Sequence, residues 1–222
     1  MFRLLISALL ACLPWPLRRW VLNTFCGYKI HRTARLGFCF PVPKRLIMEE
    51  YSYIGHLTAC VHLDLVHLKA HASIGRANWI TGFPSDGADH FANQTGRHAE
   101  LILCEHAAIT NRHLIDCTDR VTIGRYSTFA GFRSQILAHS IDLAECRQSA
   151  QPVSIGDYCF IGTDCVLLGG SVLPSYSVLA AKSLLNKPEA EEYTLYGGVP
   201  ARPLRALPKD FRYFTRTTGH VV

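Results

Sequence analysis

"VSIGDYCFIGTDCVLLGGSVLPSYSVLAAKSLLNK", Val153 to Lys187, decides the fold. Stepping by six from Ile155 meets Ile161, Leu167, Leu173, Leu179 and Leu185, an aliphatic residue at every step. An amphipathic helix repeats near ~3.6 residues and a half-buried strand near ~2, so neither accounts for this period. Short flat strands meeting at tight corners do. Three hexapeptides close one triangular coil, each aliphatic side chain points into the prism, and stacked coils pair in parallel around a continuous core. Glycine follows the aliphatic position at Ile155-Gly156 and Ile161-Gly162, where it is expected to supply backbone freedom for the corners.

The same step runs upstream through Ile30, Leu36, Val42, Met48, Ile54, Cys60 and Val66. After a slip it resumes at Leu68, Ile74 and Ile80, and again at Leu103, Ile109, Ile115 and Val121, with further Ile-Gly pairs at Gly55, Gly75 and Gly124. The regularity fails at length in "TGFPSDGADHFANQTGRHAE", Thr81 to Glu100. Its Gly, Pro, Asp and Asn content makes a loop, expected to leave the prism and cover a substrate cleft. The chain therefore divides into an N-terminal helical arm (1–27), a β-helix domain (28–207, with the inserted loop 81–100) and a tail (208–222).

Apolar residues make up 49% of the chain and charged ones 18%, which is a globular composition. The net charge is +6, but no Lys/Arg run marks a nucleic-acid surface, and no nucleic-acid partner is expected. The nine cysteines form no CxxC pair and are expected as reduced thiols in a cytoplasmic protein. The apolar run Leu4–Leu13 is shorter than the ~20 residues that cross a bilayer. With Arg18, Arg19 and Trp20 following, residues 1–22 suit either docking on the protein's own core or peripheral contact with the inner membrane.

Val153–Lys187, followed by "LYGGVPARPLRAL" (Leu195–Leu207), resembles the C-terminal half of hexapeptide-repeat acyltransferases. That family includes galactoside, maltose and serine O-acetyltransferases and O-acetyltransferases of polysaccharide biosynthesis. The resemblance is dense over 101–207 and looser over 28–80. It implies a mainly β chain folded as a left-handed parallel β-helix, an exception to the right-handed crossover rule. It also implies a homotrimer with active sites between subunits and acetyl-CoA as co-substrate. A sugar hydroxyl in glycan or polysaccharide synthesis is the expected acceptor, and no metal is expected.

Acyl transfer from a thioester needs a base for the acceptor proton, and a histidine titrating near ~6.5 is matched to that step. His139, in "QILAHSIDL", lies one irregular segment upstream of the coil start Pro152–Gly156, where the family carries its catalytic histidine. It is the expected general base. Asp142 is placed to orient it or to bind the acceptor, although a turn aspartate commonly caps its own backbone. Asn111 falls near the family's acceptor-binding asparagine, and His113, expected on the same strand face, is a candidate acceptor contact or second catalytic histidine. On the cofactor side, Gly169, Gly170 and Gly198 allow close approach, and Lys187 and Arg202 match phosphate-contacting cations of the family. Cys159 and Cys165, six apart, are expected to stack on consecutive coils as packing residues. Two alternatives stand beside the transferase. One is a zinc-binding γ-carbonic-anhydrase-like β-helix using His56, His62, His67 and His71, with histidines six apart sharing a face. The other is a non-catalytic scaffold.

Overall fold

The computed structural model describes residues 10, 13–87 and 90–221. Most of the apolar run from Leu4, with Cys12, lies outside the described residues. Three parallel sheets form the faces of a triangular prism. The first face stacks Lys29–Ile30, Arg45–Met48, Leu65–Leu68, Glu100–Leu103, Val121–Ile123, Val153–Ile155 and Val172–Leu173. The second stacks Arg35–Leu36, Tyr53–Ile54, Ser73–Ile74, Ala108–Ile109, Thr128–Phe129, Phe160–Ile161 and Val178–Leu179, extended by a hairpin of Thr194–Gly198 and Ala201–Ala206. The third stacks Phe40–Val42, Ala59–Val61, Trp79–Thr81, Leu114–Asp116, Gln135–Leu137, Val166–Leu168 and Leu184–Leu185. The chain is a left-handed parallel β-helix.

Apart from the terminal hairpin, strands of two to four residues on these faces leave room for one or two inward side chains each. Ile155, Ile161, Leu167, Leu173, Leu179 and Leu185 are all buried in the one continuous core. Each buried aliphatic side chain contributes roughly 1.5–3 kcal/mol. One early step differs from the periodic reading: Pro41, not Val42, is buried, and it pairs with Cys60.

Glycine serves a different purpose from the one its position suggested. Gly55, Gly75, Gly124, Gly156 and Gly162 do not have positive φ. A Cβ on Gly75 would instead lie 2.2 Å from the Thr110 carbonyl oxygen, and one on Gly124 2.4 Å from Gly156. These glycines let successive coils touch. The left-handed corners are made by other residues. At the first-to-second corner Tyr51, His71, His106, Tyr126, Tyr158, Tyr176 and Tyr193 all have φ between 51° and 60°. A left-handed non-glycine residue costs roughly 1–2 kcal/mol, and here the rings stack at centroid spacings of 4.6–5.4 Å, which offsets part of that cost.

Residues six apart therefore lie on successive corners, not on one stack. Cys159 precedes a second-face strand and Cys165 a third-face strand, and both are buried. His56 and His62 are separated in the same way.

The open end of the first coil is closed by the helix Trp15–Phe25, with Pro14 and Pro16 at its start. Leu22 enters the core, and the buried Arg18 donates to the carbonyls of Gly37 (2.7 Å) and Cys39 (3.2 Å). Asn23 clamps both the N–H and the carbonyl of Ile30. Among the described residues no helix is long and apolar enough to cross a membrane. The tail lies along the ring stack, with Tyr213 Oη donating to Cys159 O (3.0 Å) and Tyr158 Oη to Arg216 O (3.2 Å).

Candidate active site

The third-to-first corner is where the coils open. Between Thr81 and Glu100 the loop leaves the prism, and two coils later a hairpin pairs His139–Asp142 with Arg147–Ala150. The segment after His139 is thus an ordered antiparallel pair, not an irregular stretch. Gln94 joins the two excursions, accepting from Ala150 N–H (2.8 Å) and donating to Ala150 O (3.2 Å).

One coil earlier, Asp116 ends a third-face strand in register with Leu137, which brings its carboxylate under His139. Asp116 Oδ2 accepts from the His139 backbone N–H (3.0 Å) and lies 2.5 Å from Nδ1. Oδ1 accepts from the Thr118 N–H (3.0 Å) and hydroxyl (2.5 Å). Burial works against the Asp116 charge, but hydrogen bonds from His139 and Thr118 outweigh it and hold the pKa below the carboxylate norm. The hydrogen bond to Asp116 raises the His139 pKa; partial burial and the Arg97 charge pull the other way. With Nδ1–H donated to the carboxylate, the neutral ring carries its lone pair on Nε2.

His139 lines a cleft of about 570 Å³ with Ser140, Asp142, Gln151, Gly169 and Asn186. Outside that lining, the loop packs an aromatic wall, Phe83 and Phe91, edge-on against the imidazole at 5.6 and 6.2 Å. Arg97 anchors that wall from behind. Its buried guanidinium donates to the carbonyls of Phe83, Pro84 and Thr118 and lies 4.3 Å over the Phe91 ring.

Asp142 and Gly169 therefore share the cleft with His139, and Lys187 follows Asn186 at its edge, 3.5 Å from Glu189. Asp142 does not orient the imidazole: its Oδ1 accepts from the N–H groups of Ala144 (3.0 Å) and Glu145 (3.2 Å), closing its own turn. Gly170 has φ +81° and packs on Gln151. His113 is not on an outer face. It is buried, with Nδ1 accepting from Ser134 N–H (3.2 Å) and Nε2 3.0 Å from Thr110 Oγ1, and burial pushes its pKa down to about 4. Both ring nitrogens are used, so none is left for an acceptor. Asn111 lies at the second-to-third corner and accepts from Arg76 N–H (2.9 Å). Gly198 and Arg202 belong to the terminal hairpin of the second face, where Gly198 pairs with Ala201 and Arg202 with Gly197.

The sequence assigns no role to Asp116, Thr118, Phe83, Phe91 or Arg97, although Asp116 follows Asn111 and His113 in the cluster "ITNRHLIDC". A count of one eighteen-residue coil back from His139 lands on Val121, whereas Asp116 lies 23 residues upstream, so nothing local marks Asp116 or the loop residues. Among the described residues no group of three or more His, Cys, Asp or Glu is arranged to hold a metal ion. His67 Nε2 faces Glu49 (2.8 Å), His71 belongs to the ring stack, and His56 Nδ1 accepts from Phe38 N–H (3.1 Å).

No protein-family model and no curated protein matches the chain. Among solved structures it is similar to the hexapeptide-repeat acetyltransferase VCA0836 of Vibrio cholerae complexed with acetyl coenzyme A, at 18% identity and TM-score 0.48 over 93% of this chain and 87% of that one. A hexapeptide transferase family protein of Anaplasma phagocytophilum aligns at 19% identity and TM-score 0.45 over 85% of each chain. The polySia-specific acetyltransferase NeuO aligns at 16% and 0.44, over 81% of this chain and 86% of its own. At these identities and TM-scores the likeness carries no argument about chemistry, and the reading of the cleft rests on the Asp116–His139 pair.

Proposed function

We propose that the protein is a coenzyme A-dependent O-acyltransferase that moves an acetyl group from acetyl-CoA to a sugar hydroxyl in glycan assembly. The observation that carries this reading is the buried Asp116 carboxylate on His139 Nδ1, which leaves Nε2 at an open cleft. The sequence resemblance of Val153–Leu207 supplies the acyl donor.

His139 Nε2 takes the acceptor hydroxyl proton as that oxygen attacks the thioester carbonyl. The new C–O bond forms, the C–S bond breaks, and the imidazolium returns its proton to the departing thiolate. Asp116 keeps the ring in the required tautomer and stabilises the imidazolium. Gly169, without a side chain, leaves room for the thin pantetheine arm, and Lys187, at the cleft edge, offers a cation to the phosphates. By the same resemblance, Gly170, Gly198 and Arg202 are assigned to the cofactor side. In a homotrimer a neighbouring subunit would close the open side of the cleft and could present Asn111 to the acceptor.

The test is to incubate the protein with acetyl-CoA and a panel of sugars and sugar nucleotides, following thiol release and the acetyl ester by mass spectrometry. His139→Ala should keep acetyl-CoA binding by calorimetry and lose transfer by about 10³-fold or more. Full transfer by that variant, or no acetyl-CoA binding by the wild type, would overturn the assignment.

A further inference from the structure

The charge of this chain is polarised along the prism. Residues 1–48 contain eight Lys/Arg and no Asp or Glu, the first acidic residue being Glu49. Residues 49–222 carry fifteen Lys/Arg against seventeen Asp/Glu. All of the net positive charge therefore belongs to the arm, the capping helix and the start of the β-helix. On the helix and first coil, Arg19, Lys29, Arg32 and Arg35 make no salt bridge among the described residues, whereas Lys44 and Arg45 on the next coil are paired with Asp64 and Glu100.

The capping helix Trp15–Phe25 has two faces with different employment. Arg18, Leu22 and Asn23 hold the first coil. Leu17, Trp20 and Phe25 point away and are 46%, 54% and 72% exposed. Trp20 and Phe25 touch each other edge to face at 5.7 Å and form a small exposed aromatic patch. The sequence immediately before the helix is the apolar run Leu4–Leu13, so this patch continues an apolar stretch.

We infer that this end of the prism docks on an anionic lipid bilayer, with Leu17, Trp20 and Phe25 entering the interface and the unpaired basic residues of the first coil facing the headgroups. Tryptophan and phenylalanine partition well into the interfacial zone, and each nearby basic residue adds attraction to anionic lipid. Docking through the cap leaves the three faces and the His139 corner free.

Flotation of the full chain with phosphatidylglycerol–phosphatidylcholine vesicles, beside pure phosphatidylcholine vesicles, tests it. The wild type should float with the anionic vesicles, float less as salt rises, and stay at the bottom with the neutral ones. The triple variant Leu17→Ser, Trp20→Ser, Phe25→Ser changes only exposed side chains and should keep its circular dichroism while losing about tenfold in bound fraction. Lys29→Gln with Arg32→Gln should weaken flotation at low salt only. A wild type that does not float overturns the proposal, as does a triple variant that floats undiminished. A triple variant whose oligomeric state falls, with no vesicle binding by the wild type, would show a second copy of the chain on this face and would also overturn it.

Discussion

The corner joining the first face to the second repeats one turn seven times, while the corner joining the third face to the first is broken open twice. In the repeated corner each coil after the first contributes one left-handed Tyr or His, and the rings stack into a column on which the tail is laid. Nothing there is charged against a buried carboxylate, and the Tyr158 and Tyr126 hydroxyls are spent on backbone carbonyls. In the broken corner, the loop after Thr81 and the hairpin after His139 expose a histidine, bury an aspartate beneath it and wall it with two phenylalanines. Regular turns hold the prism together; their interruptions assemble groups that need not satisfy the repeat. The difference can be broken by experiment: substitutions at the open corner should move activity, and those at the stacked corner should move stability.

The largest effect is expected from Asp116→Asn. The side chain keeps its size and can still accept from Thr118, but it removes the negative charge from His139 Nδ1 and can offer an N–H in its place. Transfer should fall by roughly 10²- to 10⁴-fold with little change in acetyl-CoA affinity. The pH profile separates this from a folding defect. The base acts as the neutral imidazole, and its pKa is raised in the native protein, so wild-type kcat/KM should reach half its plateau above ~6.5. In Asp116→Asn that midpoint should move to lower pH. The linked stabilities have opposite signs. The His139 contribution is complete below the unfolded histidine pKa and is lost as pH rises through the raised value. The Asp116 contribution is complete above the unfolded carboxylate pKa and is lost as pH falls through the depressed value. A midpoint that does not move in the variant would separate Asp116 from the base.

Arg97→Met comes next. It keeps much of the packing against Phe91 but leaves the carbonyls of Phe83, Pro84 and Thr118 short of a buried donor. Unfolding by urea should show a loss of about 2–4 kcal/mol, and proteolysis should begin in the loop between Thr81 and Glu100. At the stacked corner, Tyr158→Ala removes one ring from between Tyr126 and Tyr176 together with the hydroxyl that holds Arg216. It should cost about 1–2 kcal/mol and leave kcat/KM within a factor of two. A large activity loss there would erase the contrast between the corners.

How much of this could be read in the sequence follows the same contrast. The run Ile155 to Leu185 gives the prism directly, because one aliphatic side chain per face is what a triangular coil requires, and all six are buried. His139 stands out because the hexapeptide phase is lost beside it. Asp116 does not, since it sits where any third-face strand ends, and only the coil length of the finished fold brings it under His139. His113 misled for a related reason: strand alternation puts it outside, but it precedes the strand Leu114–Asp116 at a corner, where the backbone turns its ring inward. The glycines misled because φ and steric contact are alike in sequence; the first-to-second corner went to tyrosine and histidine, whose stacking is visible only across coils seventeen or more residues apart.

The smallest expected effect tests whether the two excursions of the open corner act as one unit. Gln94 is the side chain that ties them, through a reciprocal pair of hydrogen bonds to the backbone of Ala150. Ala150 ends the hairpin strand opposite His139, with which it is in register. Gln94→Ala should therefore cost only about 0.5–1.5 kcal/mol of stability, the net worth of an ordinary hydrogen bond or two. Its effect on transfer should fall on acceptor KM rather than on kcat, because Asp116 still fixes the imidazole while the Phe83–Phe91 wall loses its tie to the hairpin. Hydrogen exchange should show faster opening at Ala150 and across residues 91–97, with no change at the stacked corner. A kcat loss equal to the KM effect would mean that the loop positions His139 itself, and the wall would then be part of the base rather than part of the acceptor site.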